Sequence, residues 1–399
     1  MPIQTTFYQR TFYRDLFLSP ISHQPRNVFM RRNCSDRVCL FLSFLLLFYC
    51  GWYIFTSSNR IFGYQRDTAE ELAYKNAILT SSPIIENKQI CLSDEVDLVF
   101  LVVSSRSRFL ERQSIRETWG SMSDIFGVHS QRLFVIGYQS GGKLYKDLSN
   151  EAAHEQDLLY LTIDDDLMTL KELHAYRWLD KYCPNVTFTF KTDDDLFVNS
   201  FLLHELIQEL KTNPDKFQNR YLYNHSLDSL FLAHLNPDAH TFLFGWAFEP
   251  GKPERNASVN PYYVSYKEYP KELYPHYCSS FGYLMDSKTR NLLVEEGFND
   301  KYPFRFSDIF ITGILPERLN FICDSLPFTY HQGTTQDCID IIKLHNKKTL
   351  KLSTPPLIVC STGRHVAQNT FSDYYRIWSV LKFFFSNQIS STRSRKSKD

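Results

Sequence analysis

An uncharged stretch from Val38 to Asn59 restricts this chain more than any other part of its sequence. Its central apolar run, Val38 to Phe55, is 18 residues long. As a helix rising 1.5 Å per residue, it would span roughly 27 Å, the hydrocarbon thickness of a thin bilayer. Trp52 and Tyr53 near one end are typical of a membrane–water interface. The sequence therefore predicts a transmembrane helix over residues 38–58. A buried core helix or a signal peptide is the alternative, but 37 residues precede the run and no Ala-x-Ala site follows it.

The charges beside this helix predict its orientation. Residues 1–37 hold six arginines and two aspartates, a net charge of +4. The positive-inside rule places this tail in the cytosol and the chain after about residue 58 in the lumen. We therefore expect a single-pass type II membrane protein. The whole chain is neutral, with 44 basic and 44 acidic side chains, which gives no reason to expect nucleic-acid binding.

Cysteines and glycosylation sequons agree with a lumenal location. Of nine cysteines, an even six follow the predicted membrane helix, which suits three disulfides in an oxidising compartment. They are Cys91, Cys183, Cys278, Cys323, Cys338 and Cys360. Six cysteines allow about fifteen pairings. A zinc site is the alternative, although no Cys-x-x-Cys pair occurs. Sequons predict glycans on Asn185, Asn224 and Asn256.

After a polar stem over residues 59–93, strand-like and helix-like segments alternate. The predicted strands cover residues 97–103, 132–137, 157–163 and 186–191. The first is a continuous apolar run, typical of a strand that is buried on both faces. Residues 167–182 place apolar side chains on one helical face. This alternation predicts an α/β domain over residues 94–345, with a mostly parallel central sheet between helices, and then an extension over residues 346–399.

Two runs of three aspartates follow predicted strands. Asp193 to Asp195 follow the fourth strand, at the edge where open α/β sheets bind ligands. In extended backbone Asp193 and Asp195 point to the same side, and hard oxygen ligands suit Mn²⁺ or Mg²⁺, commonly bridged to a diphosphate. A solvated acidic turn or a helix cap is the alternative. The other run, residues 164–166, is expected to cap the helix that follows it.

A series of motifs gives residues 97–345 a resemblance to a known family. The motifs cover residues 112–120, 134–137, 191–199, 263–265, 269–270, 274–279, 282–283 and 307–313. In this order they resemble the β-1,3-galactosyltransferase family, glycosyltransferase family 31. The resemblance implies a type II Golgi enzyme with a GT-A-type, Rossmann-like fold. It also implies a UDP-sugar donor and a glycoprotein or glycolipid acceptor, and it is compatible with homo- or hetero-oligomers that include other transferases.

The resemblance assigns a metal site to the second aspartate run. Asp193, Asp194 and Asp195 match the family's DxD motif. Asp195 would ligate Mn²⁺ directly, Asp193 would help to hold metal or ribose, and Asp194 would bind substrate. His331 resembles the histidine that completes the metal site, and an ordinary core or surface histidine is the alternative.

The same resemblance implies a nucleotide pocket. Arg112, Arg116 and Trp119 are expected near the nucleotide, and Gly282 and Tyr283 are expected to bind substrate. Arg116 would contact phosphate or substrate, with a structural salt bridge as the alternative.

Asp308 is the candidate general base. The family inverts the anomeric centre, so a carboxylate must take the proton of the acceptor hydroxyl. A helix cap is the alternative role for Asp308. Two residues depart from the family pattern: Ser307 replaces the first acid of a usual acidic pair, and Phe281 stands where small residues are usual.

The expected function is the transfer of galactose or an N-acetylhexosamine from a UDP-sugar to a glycan hydroxyl in β-1,3 linkage in the Golgi lumen. A non-catalytic family member, acting as a lumenal glycan-binding or partner protein, is the alternative. A single-pass receptor is a third interpretation, but the short cytosolic tail carries no signalling signature.

Overall fold

In the computed structural model, the described residues are 83–92, 95–139, 145–212, 241–256, 260, 262–346, 355–361 and 370–396. They all belong to one compact unit over residues 68–399. The predicted tail and membrane helix, most of the predicted stem, and Asn224 lie outside the described residues. Within the described part of the chain, no helix is long and apolar enough to cross a membrane.

Twelve strands are present among the described residues: β1 Pro83–Glu86, β2 Leu98–Ser104, β3 Asp124–Ile125, β4 Val128–Tyr138, β5 Leu158–Asp164, β6 Phe188–Asp193, β7 Leu196–Val198, β8 Leu243–Phe248, β9 Tyr277–Asp286, β10 Asp324–Ser325, β11 Thr329–Gln332 and β12 Leu357–Ser361. The α-helices are α1 Phe109–Glu117, α2 Tyr145–Glu155, α3 Met168–Tyr182, α4 Ser200–Thr212, α5 Ser287–Asn299, α6 Ser307–Ile309, α7 Leu315–Arg318, α8 Thr335–Asn346 and α9 Thr370–Lys396. A π-helical segment, Phe310–Ile314, joins α6 to α7.

The main sheet has the strand order β1-β5-β4-β2-β6-β9-β8-β10, with β3 paired to β4. Its four central strands, β5, β4, β2 and β6, are parallel, and they are the four strands that the sequence predicts. Strands β1 and β9 add to them in the antiparallel sense, so the complete sheet is mixed. A second sheet has the order β11-β12-β7. The prediction of a parallel centre is confirmed, and the antiparallel additions lie beyond the segments that the sequence analysis assigned.

Strand β2 divides the hydrophobic core into two layers. Leu98, Phe100 and Val102 pack into one layer, and Val99 and Leu101 pack into the other. This follows from the two-residue period of a strand, because successive side chains point to opposite faces. Helices cover both faces, as the continuous apolar run predicts. The predicted apolar face of α3 is also confirmed, since its side chains are fully buried at Leu170, Leu173, Tyr176 and Leu179.

The chain after residue 345 completes this core rather than extending from it. Strand β12 pairs with both β7 and β11. The ring of Trp378 in α9 stacks on Phe201 in α4 with centroids 5.1 Å apart. The predicted domain therefore continues to the described residues of α9.

Three disulfides join the six predicted cysteines. They link Cys91 to Cys183, Cys278 to Cys323, and Cys338 to Cys360. The prediction of three bridges is confirmed. The sequence leaves the pairing open. The fold decides it, because it brings the two cysteines of each pair close together.

Candidate active site

The run Asp193–Asp195 lies where the sequence analysis places it, at the carboxyl end of β6. Asp193 is the last residue of β6 and is in register with Val103 of the neighbouring strand β2. Asp194 and Asp195 form the turn that leads into β7. Asp193 and Asp195 are half-buried, whereas Asp194 is buried. The two outer carboxylates therefore remain at the edge of the sheet.

Asp194 is turned into the protein. It is 2% exposed, and its Oδ2 accepts a hydrogen bond of 2.7 Å from Ser104 Oγ. The same oxygen lies 2.9 Å from Arg108 Nε. Burial raises the pKa of Asp194 to about 7 against the opposing effect of Arg108 and Ser104. These contacts fix the turn, and they do not support the predicted contact of Asp194 with substrate.

A buried lysine joins the aspartate run to helix α3. Lys191 is 1% exposed, and its Nζ donates to Asp193 Oδ1 at 2.9 Å. The same ammonium lies 3.4 Å from Glu172 Oε1. Burial alone would lower the pKa of Lys191, but the charges of Asp193 and Glu172 outweigh burial and raise it. Lys191 is therefore a fixed positive charge beneath the edge of the sheet.

Glu172 is fully buried, and its two oxygens have separate donors. Ser307 Oγ donates to Oε1 at 2.6 Å, and Tyr283 OH donates to Oε2 at 2.9 Å. The hydroxyl of Tyr283 also lies 2.7 Å from that of Tyr176. Sequence reasoning missed both Glu172 and Lys191. A lysine in the strand that leads into the aspartate run is a signal for Lys191, but no periodicity distinguishes Glu172 from an exposed helical glutamate.

Asp308 belongs to the same cluster of charges. It is the second residue of the turn α6, and its Oδ1 accepts a hydrogen bond from the backbone N–H of Ile309 at 2.8 Å. Burial raises the pKa of Asp308 to about 6. Lys191 lowers that pKa, while Glu172 and Asp193 raise it further. The neighbouring Ser307 is linked through Glu172 and Lys191 to Asp193, so the structure connects the candidate base to the aspartate run. A pKa near the operating pH suits a general base.

Gly282 and Tyr283 support this cluster from strand β9. A Cβ at Gly282 would lie 2.6 Å from Cζ of Phe190, so glycine is needed for the close approach of β9 to β6. Tyr283 is fully buried, and its hydroxyl is used by Glu172. Both residues are packed inside the protein, which does not support the predicted direct contact with substrate.

Arg112, Arg116 and Trp119 are also interior residues. Arg112 is fully buried and holds Glu151 through two hydrogen bonds, of 2.7 and 2.6 Å. Arg116 holds Asp157 through hydrogen bonds of 2.9 and 2.8 Å. Trp119 is fully buried as well. The predicted nucleotide contacts are therefore not supported, and the alternative of a structural salt bridge describes Arg116.

A substitution separates these two roles. Arg116→Ala is expected to lower the free energy of unfolding by about 3 kcal/mol, because Glu151 and Asp157 lose a partner for their buried charges. In the folded protein the KM for the UDP-sugar should change less than about twofold. Chemical denaturation and steady-state kinetics measure these two quantities. Arg305→Ala is the control, because the exposed pair of Arg305 with Glu268 is worth less than about 1 kcal/mol. If Arg116→Ala were as stable as the wild type but bound the UDP-sugar weakly, the result would support the predicted contact of Arg116 with the nucleotide.

The run at residues 164–166 does not cap α3. Leu167 precedes that helix and makes no side-chain capping bond. Asp165 is buried instead, and its Oδ1 accepts from Lys171 Nζ at 2.8 Å and from the backbone N–H of Gly137 at 3.0 Å. The capping prediction is wrong, since the middle carboxylate has a stronger partner in a buried ammonium.

His331 lies on β11, in the second sheet. It is in register with Cys360 of β12, which is in register with Phe197 just after the aspartate run. Its Nε2 is buried, makes no hydrogen bond among the described residues, and lies 3.9 Å from Asp337 Oδ2. A Cβ at Gly333 would overlap this ring nitrogen. The buried ring nitrogen of His331 therefore faces Gly333 and Asp337, and the predicted role of His331 as a metal ligand stays a prediction.

The side chains near the aspartate run can be compared with the ligands that a divalent cation needs. Among the residues described here, no three His, Cys, Asp or Glu side chains are close enough together to hold a metal. One oxygen of Asp193 accepts a hydrogen bond from Lys191, and the carboxylate of Asp194 is turned inward. Mg²⁺ commonly takes one or two carboxylates and completes its coordination with substrate phosphates and water. Asp193 and Asp195 fit that kind of partial site and do not fit an all-protein cage.

Aromatic side chains from β8, β9 and β11 form a surface beside these acids. This aromatic surface consists of Trp246, Phe248, Tyr277, Phe281 and Tyr330. The rings of Trp246 and Tyr330 stack with centroids 5.9 Å apart, and Phe281 meets Trp246 edge-on at 5.3 Å. Burial, and then the charge of Asp308, raise the pKa of Tyr277 to about 12, so this tyrosine lies within electrostatic range of the candidate base. Phe281, a departure from the family pattern, is thus part of the surface.

Two of the three sequon asparagines lie among the described residues. Asn185 and Asn256 are exposed, so a glycan on either would not displace core side chains. Glycosylation of these residues stays a prediction.

With this geometry established, comparison with known proteins identifies the family. The sequence profile described as Galactosyltransferase matches residues 110–324, more than half of the chain. This chain belongs to the galactosyltransferase family. The matched range includes the cluster of charges around Asp193 and Asp308 of this transferase, whereas His331 and strand β12 lie beyond it.

Two groups of relatives resemble the transferase. Beta-1,3-galactosyltransferase 5 of Pan paniscus is 28% identical over 231 residues, which cover 57% of this chain and 67% of the relative. UDP-GalNAc:beta-1,3-N-acetylgalactosaminyltransferase 1 of Rattus norvegicus is 27% identical over 300 residues, 73% of this chain and 76% of the relative. Among solved structures, the galactosyltransferase LgtC in complex with donor and acceptor sugar analogues matches with a TM-score of 0.33 at 11% identity, covering 72% of this chain and 95% of that chain. This last similarity is too low to support an argument.

Proposed function

We propose that the transferase moves galactose or an N-acetylhexosamine from a UDP-sugar to a glycan hydroxyl in β-1,3 linkage, with inversion, on a GT-A-type fold. The observation that carries this proposal is the chain of contacts that links Asp308 to the carboxyl edge of β6: its neighbour Ser307 bonds to Glu172, Glu172 lies 3.4 Å from Lys191, and Lys191 donates to Asp193. A carboxylate that can accept a proton is thereby connected to carboxylates that can face a diphosphate. Relatives named for transfer of galactose and of N-acetylgalactosamine support both donor sugars.

The donor is expected at the edge of the sheet. The carboxylates of Asp193 and Asp195 would face the diphosphate of the UDP-sugar. His331 on the second sheet stays a predicted ligand, although among the described residues it forms no three-residue cluster with them. A divalent cation, Mn²⁺ or Mg²⁺, bound at these residues would offset the charge of the departing UDP. Ser104 and Arg108 hold Asp194 and thereby keep the turn between β6 and β7 in place.

The acceptor is expected on the aromatic surface. Partly exposed aromatic rings supply a large contact area at low conformational cost, and they can pack against the apolar face of a sugar. Tyr277 brings this surface within electrostatic range of Asp308. A sugar resting there would present a hydroxyl to the candidate base.

The proposed step is a direct displacement. Asp308 takes the proton of the acceptor hydroxyl as its oxygen attacks the anomeric carbon from the face opposite to UDP. The new bond from the acceptor oxygen to the anomeric carbon forms as the bond to the diphosphate oxygen breaks. UDP leaves with the electron pair, and the proton stays on Asp308. Inversion follows from this geometry.

We also propose that the transferase works in the Golgi lumen as a type II membrane protein. The support is the apolar run over residues 38–58, the basic tail before it and the oxidised cysteines after it. A glycoprotein or glycolipid acceptor in the same membrane system is the corresponding partner.

The test is a screen of full-length, detergent-solubilised protein. UDP-galactose, UDP-N-acetylgalactosamine and UDP-N-acetylglucosamine are each incubated with a glycan acceptor array, with and without Mn²⁺. Transfer from one of these donors, with a β-1,3 product by linkage analysis, is the expected result. Glycan binding without transfer from any donor would favour the non-catalytic alternative and overturn the proposal.

A further inference from the structure

The buried carboxylate of Glu172 contacts the candidate site through several residues. Its carboxylate lies in the middle of α3, fully buried, where an unpaired charge would be costly. Each of its contacts leads to a different element: Lys191 on β6, Tyr283 on β9 and Ser307 at the start of α6. Tyr283 and Ser307 are 111 and 135 residues from Glu172 in the sequence, and Lys191 lies on the strand that follows α3. The carboxylate therefore joins three elements that carry or support the site.

One of these contacts controls the backbone that carries the candidate base. Ser307 Oγ donates to Glu172 Oε1 at 2.6 Å, and Asp308 follows directly. The turn α6 has no side-chain cap of its own, because Phe306 occupies that position. The hydrogen bond from Ser307 to Glu172 therefore supplies a side-chain anchor at the start of α6.

A second contact controls the charge at the edge of the sheet. Lys191 lies between Glu172 and Asp193, at 3.4 and 2.9 Å. If Glu172 carried no charge, the carboxylates that attract the ammonium of Lys191 would be those of Asp193 and Asp308. The lysine would then be drawn towards groups that the proposed reaction needs. Glu172 offsets that attraction from the buried side.

We propose that Glu172 is a positioning residue for sugar transfer. Through Ser307 it fixes the start of α6 and so the placement of Asp308, and through Lys191 it fixes Asp193. This inference rests on the proposed function, since it takes Asp308 as the base and Asp193 as part of the donor site. Glu172 contacts neither substrate in this arrangement, so its effect falls on the rate of transfer rather than on donor affinity.

The test compares substitutions in the full-length protein. Glu172→Gln keeps the size of the side chain and loses its charge. We expect kcat to fall about 50-fold while the KM for the UDP-sugar and the Kd for UDP change less than about threefold, because small misplacement of reacting groups is costly to the rate. Glu172→Asp keeps the negative charge, and its kcat should be at least about tenfold higher than that of Glu172→Gln. Ser307→Ala, which removes only the link to α6, should lower kcat about tenfold.

Asp180→Asn is the matched control. Asp180 lies on the same helix and pairs with the buried Arg290 at 2.6 Å, so the change removes a comparable charge away from Asp308. It should alter thermal stability and leave kcat within about twofold. If Glu172→Gln has the kcat of the wild type, the inference about Glu172 is overturned and the proposed function is not. If Glu172→Gln fails to fold, an unimpaired Ser307→Ala protein overturns it. Absence of transfer by the wild-type chain overturns the proposed function and this inference together.

Discussion

Asp308→Asn is expected to lower kcat for sugar transfer by about 1,000-fold, because the substituted amide cannot accept the proton of the acceptor hydroxyl. The change keeps the shape of the side chain and an oxygen for the N–H of Ile309, so UDP binding should be unchanged. Steady-state transfer assays and calorimetric titration with UDP measure the two quantities. Substantial transfer by the variant would remove Asp308 from the role of base.

The pH dependence gives an independent check on this residue. A base must be ionised to act, and the pKa of Asp308 is raised to about 6. The rate of wild-type transfer is therefore expected to rise with pH through about pH 6 and to level off above it. The residual rate of Asp308→Asn should lack this step. A wild-type profile that is flat between pH 5 and 7 would contradict the assignment.

Stability should change in the opposite direction from activity. The folded protein binds a proton on Asp308 more tightly than the unfolded chain does, so Asp308 contributes stability at low pH that is lost as pH rises through about 6. At neutral pH the ionised carboxylate is a cost to the fold. Asp308→Asn should therefore be at least as stable as the wild type at pH 7, which separates loss of chemistry from loss of structure.

Asp195→Ala is expected to lower kcat by about 100- to 1,000-fold and to abolish stimulation by Mn²⁺. Asp194 is held by Ser104 and Arg108, and one oxygen of Asp193 is held by Lys191. Asp195 is the half-buried carboxylate of the run to which the family resemblance assigns direct cation binding.

Cation binding can be measured without turnover. Titration of the UDP complex with Mn²⁺, followed by electron paramagnetic resonance, should show a bound ion in the wild type and none in Asp195→Ala. Asp166→Ala is the matched control, because Asp166 is an exposed member of the other aspartate run. Equal Mn²⁺ binding by wild type and Asp195→Ala would exclude Asp195 as a ligand.

The central strands could be predicted because their signal is local. A continuous apolar run such as residues 97–103 indicates a strand that is covered on both faces, and β2 has that environment. The edge position of Asp193 follows from the same pattern. Strand β12 and helix α9 belong to the core through contacts with distant elements, which a motif-based boundary at residue 345 does not register.

The arginines show why roles within the site were harder to predict. Arg112 and Arg116 occur in a motif near the first strand, which suggested a nucleotide contact. Their partners, Glu151 and Asp157, are 35 to 41 residues away in the sequence, and only the packing of α1 against its neighbours reveals them. Glu172 was missed for the same reason, since its contacts are made across three elements.

The hydroxyl of Tyr374 donates to the carbonyl oxygen of Asp194 at 2.9 Å, across 180 residues of sequence. The turn of the aspartate run therefore receives one of its supports from a residue that is synthesised 180 positions after it. A nascent polypeptide that has reached residue 361 already contains every candidate site residue, yet it lacks this support. Maturation of the site therefore waits until α9 has been synthesised, and a premature stop codon before Tyr374 would affect catalysis as well as stability.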